Sequence, residues 1–306
     1  MPLHIQTPLV ESRPLSLITG RSVWLKLDAL QPSGSFKLRG VGAACEHHAR
    51  AGKRRFVSSS GGNAGIAVAY AGRRLSISVV VVVPETATEL AKGLIGQEDA
   101  EVIVHGASWM EANAHAQSLI DETSAFIHPF DDPLLWAGHA SMIDEVARSG
   151  ETFDAVVLSV GGGGLMAGVV EGLDRHGLKT PVIAVETEGA ASLARSVEAG
   201  RRVELPAITS IATSLGAKQV CERAFDLTRT HDIQCELVSD KSALTACARF
   251  LEDHRILVEP ACGAALALAY EDAAALGDYE KILMIVCGGA TAGVDQQRKW
   301  LAELEA

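Results

Sequence analysis

The 306-residue sequence is poor in aromatic residues and basic charge, and it contains no long apolar run and no paired cysteine motif. Its longest run of branched residues, 79–83, is far too short to cross a bilayer. The first residues lack a basic stretch followed by an apolar core, so no secretory signal is visible. These absences predict a cytoplasmic protein without a membrane partner.

The balance of charge excludes a further class of partner. The formal net charge is -11 at pH 7, whereas a nucleic-acid surface needs clustered Lys and Arg side chains to neutralise phosphates. We therefore expect no nucleic-acid partner, and local backbone donors would have to hold any anionic ligand.

The cysteines show neither C-x-x-C spacing nor the density of a disulfide scaffold, and most are expected to be small buried residues: Cys45, Cys221, Cys235, Cys247, Cys262 and Cys287.

The pattern of apolar residues favours a layered α/β fold. Apolar residues make up 48% of the chain, aromatic residues only 5%, and glycines number 29, which is typical of such enzymes. Strand-like runs alternate with helical stretches, which predicts parallel strands joined by helical crossovers. The predicted strands are 56–58, 77–83, 101–104, 126–128, 155–160, 182–186 and 281–286, and the predicted helices are 64–73, 88–97, 109–121, 134–148 and 165–174.

The segment 33–40, Ser-Gly-Ser-Phe-Lys-Leu-Arg-Gly, places Lys37 after a Gly/Ser turn and an aromatic residue, at the start of a predicted helix. Lysine forms Schiff bases with aldehydes, and its pKa falls readily when it loses contact with water. The segment by itself is equally compatible with a solvated lysine in the first turn of a helix.

The four glycines Gly161 to Gly164 follow a predicted strand and precede a predicted helix. Their amide groups can converge on a phosphate, with the helix dipole adding to the attraction. The spacing Gly162-x-Gly164-x-x-Ala167, with Glu186 closing the next strand, also satisfies the dinucleotide-binding fingerprint. These residues alone are therefore compatible with either a phosphate-binding loop or a nicotinamide-dinucleotide site.

Two further segments join a strand to a polar or reactive residue. Ser60-Gly61-Gly62-Asn63-Ala64-Gly65 lies between a strand and a helix, where helix N-terminal amides can hold a carboxylate; a plain turn with an asparagine cap is the alternative. Cys287 ends an apolar strand and, in isolation, is best explained as a small core residue.

Taken together and in order, these segments resemble the signatures of the fold-type II pyridoxal-phosphate (PLP) enzymes, the family of serine and threonine dehydratases, cysteine synthases and threonine synthases. The resemblance covers nearly the whole chain. Three more segments make it most similar to the serine and threonine dehydratase branch: 129–133, 158–160 and 258–265. PLP accounts for Lys37, the Asn63 loop, the glycines and Cys287 with one cofactor, whereas a nicotinamide explains only the glycines.

The resemblance implies an α/β fold like that of the tryptophan synthase β-subunit, with two parallel-sheet domains and the active site between them. The large domain would comprise residues 1–31 and 133–306, and the small domain residues 32–132. A homodimer is also expected.

The resemblance also implies the roles of individual residues. Catalysis would fall to Lys37, as Schiff-base lysine and general base, and to Ser60, which competes with the cofactor phosphate as the acid for the leaving hydroxyl. The cofactor would be bound by Phe36, Lys37, Asn63, Gly161, Gly162, Gly163, Gly164, Leu165, Ser214 and Cys287. The substrate would be bound by Ser60, Gly61, Gly62, Asn63 and Ala64, and a monovalent cation, potassium being the candidate, by Glu186, Ala190 and Leu215.

The predicted activity is elimination of water and ammonia from L-serine or L-threonine. A neutral thiol at Cys287 would not hold the pyridine nitrogen protonated, which favours prompt β-elimination over long-lived carbanion chemistry. Serine racemase, a β-replacement synthase and a nonenzymatic binding protein on the same scaffold are the alternatives. The groups Glu46-His47-His48 and His139 with Asp144 and Glu145 lack the spacing of a metal site and are expected to be solvated helix faces.

Overall fold

A computed structural model describes residues 1–271 and 273–305. The chain forms two separate sheets with helices packed around them. The strands are β1 (Leu9–Glu11), β2 (Ser22–Lys26), β3 (Arg55–Ser58), β4 (Ser78–Val83), β5 (Glu101–Val104), β6 (Ser124–Phe126), β7 (Ala155–Ser159), β8 (Val182–Thr187), β9 (Ile233–Val238) and β10 (Lys281–Ile285). The α-helices are α1 (Arg13–Thr19), α2 (Lys37–Arg50), α3 (Asn63–Leu75), α4 (Glu89–Gly96), α5 (Trp109–Ser118), α6 (Pro133–Ser149), α7 (Gly164–Arg175), α8 (Ser192–Ala199), α9 (Glu222–Leu227), α10 (Asp240–His254), α11 (Pro260–Glu271) and α12 (Val294–Glu305).

The larger sheet has six strands in the order β1-β2-β10-β7-β8-β9. All neighbours are parallel except the edge pair β1 and β2. Strands β7 and β8 are buried along their whole length, as expected for a parallel sheet that is covered on both faces. Helix α11 is buried from Pro260 to Tyr270 and packs against this sheet.

The smaller sheet has four parallel strands in the order β5-β4-β3-β6. Its central strand β4 contributes the buried valines of the run 79–83 to the core. The alternation in the sequence therefore predicted the α/β class and the parallel strands correctly, and the two parallel-sheet units agree with the fold that the resemblance implies. The strands of the small sheet all lie within residues 32–132, but the exact domain bounds stay a prediction.

The predicted strand 126–128 is wrong by two residues, because β6 covers Ser124–Phe126. Its register pairs Ser124 with Arg55, and the pairing ends with a bond from Ile127 N to Val57 O at 2.9 Å. Beyond that point His128 Nδ1 accepts the amides of Phe130 and Asp131, which turns the chain out of the sheet. In the described part of the chain, no helix is long and apolar enough to cross a membrane.

The topology brings helix starts to one place. Helices α3 and α7 directly follow the carboxyl ends of the parallel strands β3 and β7, and Cys287 follows β10. The carboxyl ends of parallel strands are the usual position for ligands in α/β folds.

Candidate active site

Lys37 begins helix α2, and its side chain is half-buried. The Nζ atom donates to the carbonyl oxygen of Pro129 at 2.6 Å and lies 5.1 Å from the centre of the Phe36 ring. Burial lowers the pKa of Lys37 to about 8, although the Glu259 carboxylate acts in the opposite direction. A much larger fraction of this amine is therefore neutral at pH 7 than of an ordinary lysine.

Backbone hydrogen bonds join the Lys37 segment to the loop that follows β10. Phe36 N donates to Cys287 O at 3.0 Å, and Gly289 N donates to Gly34 O at 2.8 Å. Gly288 has a φ of 87°, and a Cβ atom there would lie 2.5 Å from Gly34 O. Only glycine allows so close an approach, so Lys37 and Cys287 are held side by side by their backbones.

The glycine loop 161–164 leaves no room for side chains. A Cβ atom on Gly161 would lie 2.8 Å from Leu215 Cα, and one on Gly162 would overlap the Phe130 ring. Gly163 has a φ of 92° and precedes α7, whose first residues are Gly164 and Leu165. The amides at the start of this helix have no partner within it, so the loop can bind an anion.

The loop Ser60–Ala64 forms a second helix N-terminus, that of α3. Asn63 and Ala64 are buried in its first turn, and Gly62 N donates to Ser60 Oγ at 3.3 Å. Asn63 reaches across to the other side of the site, because its Nδ2 atom lies 3.2 Å from Ser214 Oγ. Ser214 and Leu215 form the turn that packs against Gly161. The structure thus brings together the predicted cofactor-binding segments.

Cys287 is a neutral thiol. A hydrogen bond with Cys262, together with burial, raises its pKa well above the ordinary value. The prediction that most cysteines are buried is also correct: of the six, only Cys235 is partly exposed, and all are free.

Glu186 does not fit the dinucleotide fingerprint. Its carboxylate is buried and accepts the amides of Leu193 at 2.9 Å and Ala194 at 2.8 Å, at the start of α8. A ribose-binding acid would have to face the ligand. Burial raises the pKa of Glu186 to about 7. Ala190 and Leu215 are both buried, and the proposed cation site at these three residues stays a prediction.

The expectation that His139 and Glu145 lie on a solvated helix face is wrong. His139 is fully buried and packs on Phe36, with ring centres 4.9 Å apart. Glu145 accepts from Lys26 and binds Arg39, whose guanidinium also binds Asp28 at 2.6 Å. Among the described residues, no cluster of three potential ligands could hold a metal ion.

This buried network fixes the start of α2. Arg39 is fully buried two residues after Lys37, and it joins α2 to Asp28, which follows β2, and to Glu145 on α6. Burial opposes its charge, but Asp28 and Glu145 more than compensate and raise the pKa of Arg39. The residue pattern did not predict this role, and its one signal is that Arg39 is a cation within a helix rich in Gly and Ala.

These residues fit PLP. The glycine cradle of α7 suits the phosphate, Lys37 offers a partly neutral amine for the aldehyde, and Cys287 offers a neutral thiol for the pyridine nitrogen. Fold and site together define a PLP-binding α/β enzyme of fold type II.

Comparison with known proteins identifies the family. The sequence model of the pyridoxal-phosphate dependent enzyme family matches residues 1–288. The chain belongs to this family. It is 44% identical to the human L-serine dehydratase/L-threonine deaminase, over 97% of this chain and 94% of the relative. It is 42% identical to an L-serine dehydratase of Dictyostelium discoideum, over 99% of this chain and 93% of the relative. The crystal structure of an L-serine ammonia-lyase from Rhizomucor miehei superposes with a TM-score of 0.92 at 34% identity, over 98% of this chain and 99% of the other.

Proposed function

We propose that this protein is a PLP-dependent ammonia-lyase that converts L-serine to pyruvate and ammonia, and L-threonine to 2-oxobutyrate and ammonia. The observation that carries the proposal is Lys37, a half-buried amine with a pKa of about 8 beside a neutral thiol and two helix N-termini. The names of relatives that are 42% and 44% identical support the same reaction.

When bound, PLP supplies an electron-withdrawing ring that delocalises negative charge from the substrate's α-carbon. Lys37 removes the α-proton as general base, for which a pKa near the working pH is favourable. Phe36 and the Ser214 turn would hold the ring. Cys287, a neutral thiol, would take the place of a carboxylate as the partner of the pyridine nitrogen, which would favour elimination over slower carbanion reactions.

The substrate's α-carboxylate would bind at the start of α3, where Ser60 to Ala64 present backbone amides to an anion. The β-hydroxyl needs a proton to leave as water. Ser60 Oγ is the candidate donor on the protein, because it lies in the same loop.

The proposal is tested by mixing the purified protein with PLP and each amino acid. We expect a visible absorbance band from the bound cofactor and the formation of a 2-oxo acid from both L-serine and L-threonine. A protein that binds PLP but releases no 2-oxo acid would contradict the proposed reaction. Binding of a nicotinamide instead of PLP would contradict the assigned cofactor site.

Gly61 separates elimination from racemisation. Racemisation needs a second acid/base opposite Lys37, and serine racemases, which resemble this loop, read Ser-Ser-Gly-Asn and so place a hydroxyl at this position. We expect L-serine to give pyruvate with negligible D-serine, and Gly61→Ser to be the single change that most increases D-serine. Chiral chromatography of the reaction mixture measures both products.

Gly61→Ala is the matched control for this variant. A Cβ atom at Gly61 would lie 3.2 Å from Val83 Cγ1 and 3.3 Å from Ala87 Cβ, so both substitutions crowd the same neighbours. Only the serine adds a hydroxyl. Formation of D-serine by the wild type at a rate near that of pyruvate would overturn the dehydratase assignment while leaving fold and cofactor intact.

We also propose a potassium site at Glu186, Ala190 and Leu215. A cation that binds only the folded state raises its stability by mass action. Potassium should therefore raise both Tm and activity relative to a bulky organic cation at equal ionic strength. Glu186→Gln, which removes the buried carboxylate charge, should abolish the difference between the two salts, and equal values for the wild type in both salts would remove the site.

We also propose that the protein is a homodimer and that it acts in the cytoplasm on a small-molecule amino acid. Light scattering of the purified holoenzyme measures the mass, and a monomer at working concentrations would contradict the dimer.

A further inference from the structure

Glu259 is a buried carboxylate that lies between three segments of the candidate site. Only 3% of its surface is exposed. Its Oε1 atom accepts from Asn63 Nδ2 at 2.7 Å, and its Oε2 atom accepts from Thr291 Oγ1 at 2.6 Å. Ser214 also hydrogen-bonds to it. The donors come from the start of α3, the turn beside Gly161 and the loop after Cys287.

The Glu259 carboxylate is hydrogen-bonded by neutral donors. Burial raises the pKa of Glu259, and the hydrogen bonds from Ser214, Thr291 and Asn63 offset this only in part. The carboxylate also acts on the Lys37 amine, whose pKa it raises. Gly289 must lack a side chain here, because a Cβ atom on it would overlap the Glu259 carboxylate. A carboxylate held this closely accepts hydrogen bonds from fixed directions.

The carboxylate determines which way the Asn63 amide faces. An ionised carboxylate only accepts hydrogen bonds, so the Nδ2 end of Asn63 must point at Glu259. The Oδ1 end then accepts from Ala290 N at 2.9 Å. The second Nδ2 hydrogen goes to Ser214 Oγ at 3.2 Å, which is a longer and therefore weaker bond. This hydrogen is therefore the one that is available for a hydrogen bond to a ligand.

We propose that Glu259 is a positioning residue that holds Asn63 as a hydrogen-bond donor toward the PLP ring, with the Ser214 bond as the one that is exchanged on cofactor binding. The inference rests on the proposed contact between Asn63 and the cofactor. A glutamine at position 259 both donates and accepts, so it no longer dictates the direction of the Asn63 amide and replaces a charge-assisted bond with a weaker neutral one.

The test measures cofactor binding as well as turnover. PLP is titrated into the apoprotein of the wild type and of Glu259→Gln, and the cofactor absorbance is recorded against pH. We expect the apparent Kd for PLP to rise at least about tenfold in the variant, in keeping with the loss of a hydrogen bond to a charged group. The absorbance band and its pH dependence should shift, while the Tm of the apoprotein stays near that of the wild type.

Two further variants complete the experiment. Glu252→Gln changes an exposed carboxylate on α10 and should alter neither the Kd nor the spectrum. Thr291→Val removes one donor to Glu259 without touching Asn63 and should weaken PLP binding less than Glu259→Gln does. If Glu259→Gln does not fold, Thr291→Val is decisive, and wild-type values for it would then contradict the inference.

A Glu259→Gln protein that binds PLP within about twofold of the wild type, with an unchanged spectrum, would overturn the positioning role. A lower Tm with unchanged cofactor binding would show a structural role alone and would also overturn it. Failure of the wild type itself to bind PLP would instead contradict the proposed function.

Discussion

Replacing Lys37 with alanine should reduce the rate of 2-oxo acid formation by more than the ~10²–10⁴-fold usually assigned to a general base alone. The larger loss is expected because the same amine would also hold the cofactor covalently. Borohydride reduction of the wild-type holoenzyme, followed by peptide mapping, should place the PLP label on Lys37. Steady-state kinetics and the reduced peptide measure the two roles separately.

Lys26 is the informative competitor in the labelling experiment. Burial also lowers its pKa, but its amine is occupied by the Glu145 carboxylate and the Thr7 carbonyl oxygen. Lys53, which donates to Glu122 O at the surface, provides a control, and Lys53→Ala should keep wild-type turnover. A label on Lys26 or Lys53 would contradict the assignment of Lys37.

The segments of the candidate site could be proposed from the sequence because each depends on a short segment with an unusual backbone. Gly163 needs a left-handed φ, Gly162 lies against Phe130, and Lys37 follows a Gly/Ser turn, so the required residue types stand next to one another in the chain. Helix N-termini after strands are local features too. A residue pattern can therefore indicate an anion-binding loop before any tertiary contact is known.

The surroundings of the site could not be predicted in this way. Asn63 and Glu259 are 196 positions apart, and Arg39 and Glu145 are 106 apart. Nothing local distinguishes a buried carboxylate from a solvated one. The one available signal for Glu259 is that it is the only charged residue in the otherwise uncharged stretch 256–270.

The three strands that the sequence pattern did not predict, β1, β2 and β9, differ from the predicted strands in burial or in position. Strand β9 is mostly half-exposed along Ile233–Val238 and contains Gln and Glu, so it lacks the continuous apolar run of β7. Strands β1 and β2 form the antiparallel edge of the large sheet and precede the regular alternation of strands and helices. The apolar runs in the sequence predicted the central strands because burial on both faces makes these strands uniformly apolar.

Replacing Arg39 with methionine should lower the free energy of unfolding of the apoprotein by about 3–5 kcal/mol, the cost of removing one partner from a buried ion pair. Among the described residues, Arg39 is the only cation that forms a salt bridge with Asp28, so Asp28 would be left without one. Glu145 would keep only its salt bridge with Lys26. Activity should fall as well, because Arg39 fixes the first turn of α2, where Lys37 lies. Urea denaturation of the apoprotein measures the change.

A matched surface variant separates burial from charge. Arg73 binds Glu98 with the same chemistry at an exposed position, and Arg73→Met should change the free energy of unfolding far less, since water screens such pairs. The double variant Asp28→Asn/Arg39→Met should be less destabilised than the sum of its single variants, because removing both partners leaves no unpaired charge between them. If Arg39→Met and Arg73→Met proved equally stable, the buried network would contribute no more than a surface pair, and the position of Lys37 would have to depend on the backbone bonds to Cys287 and Gly289.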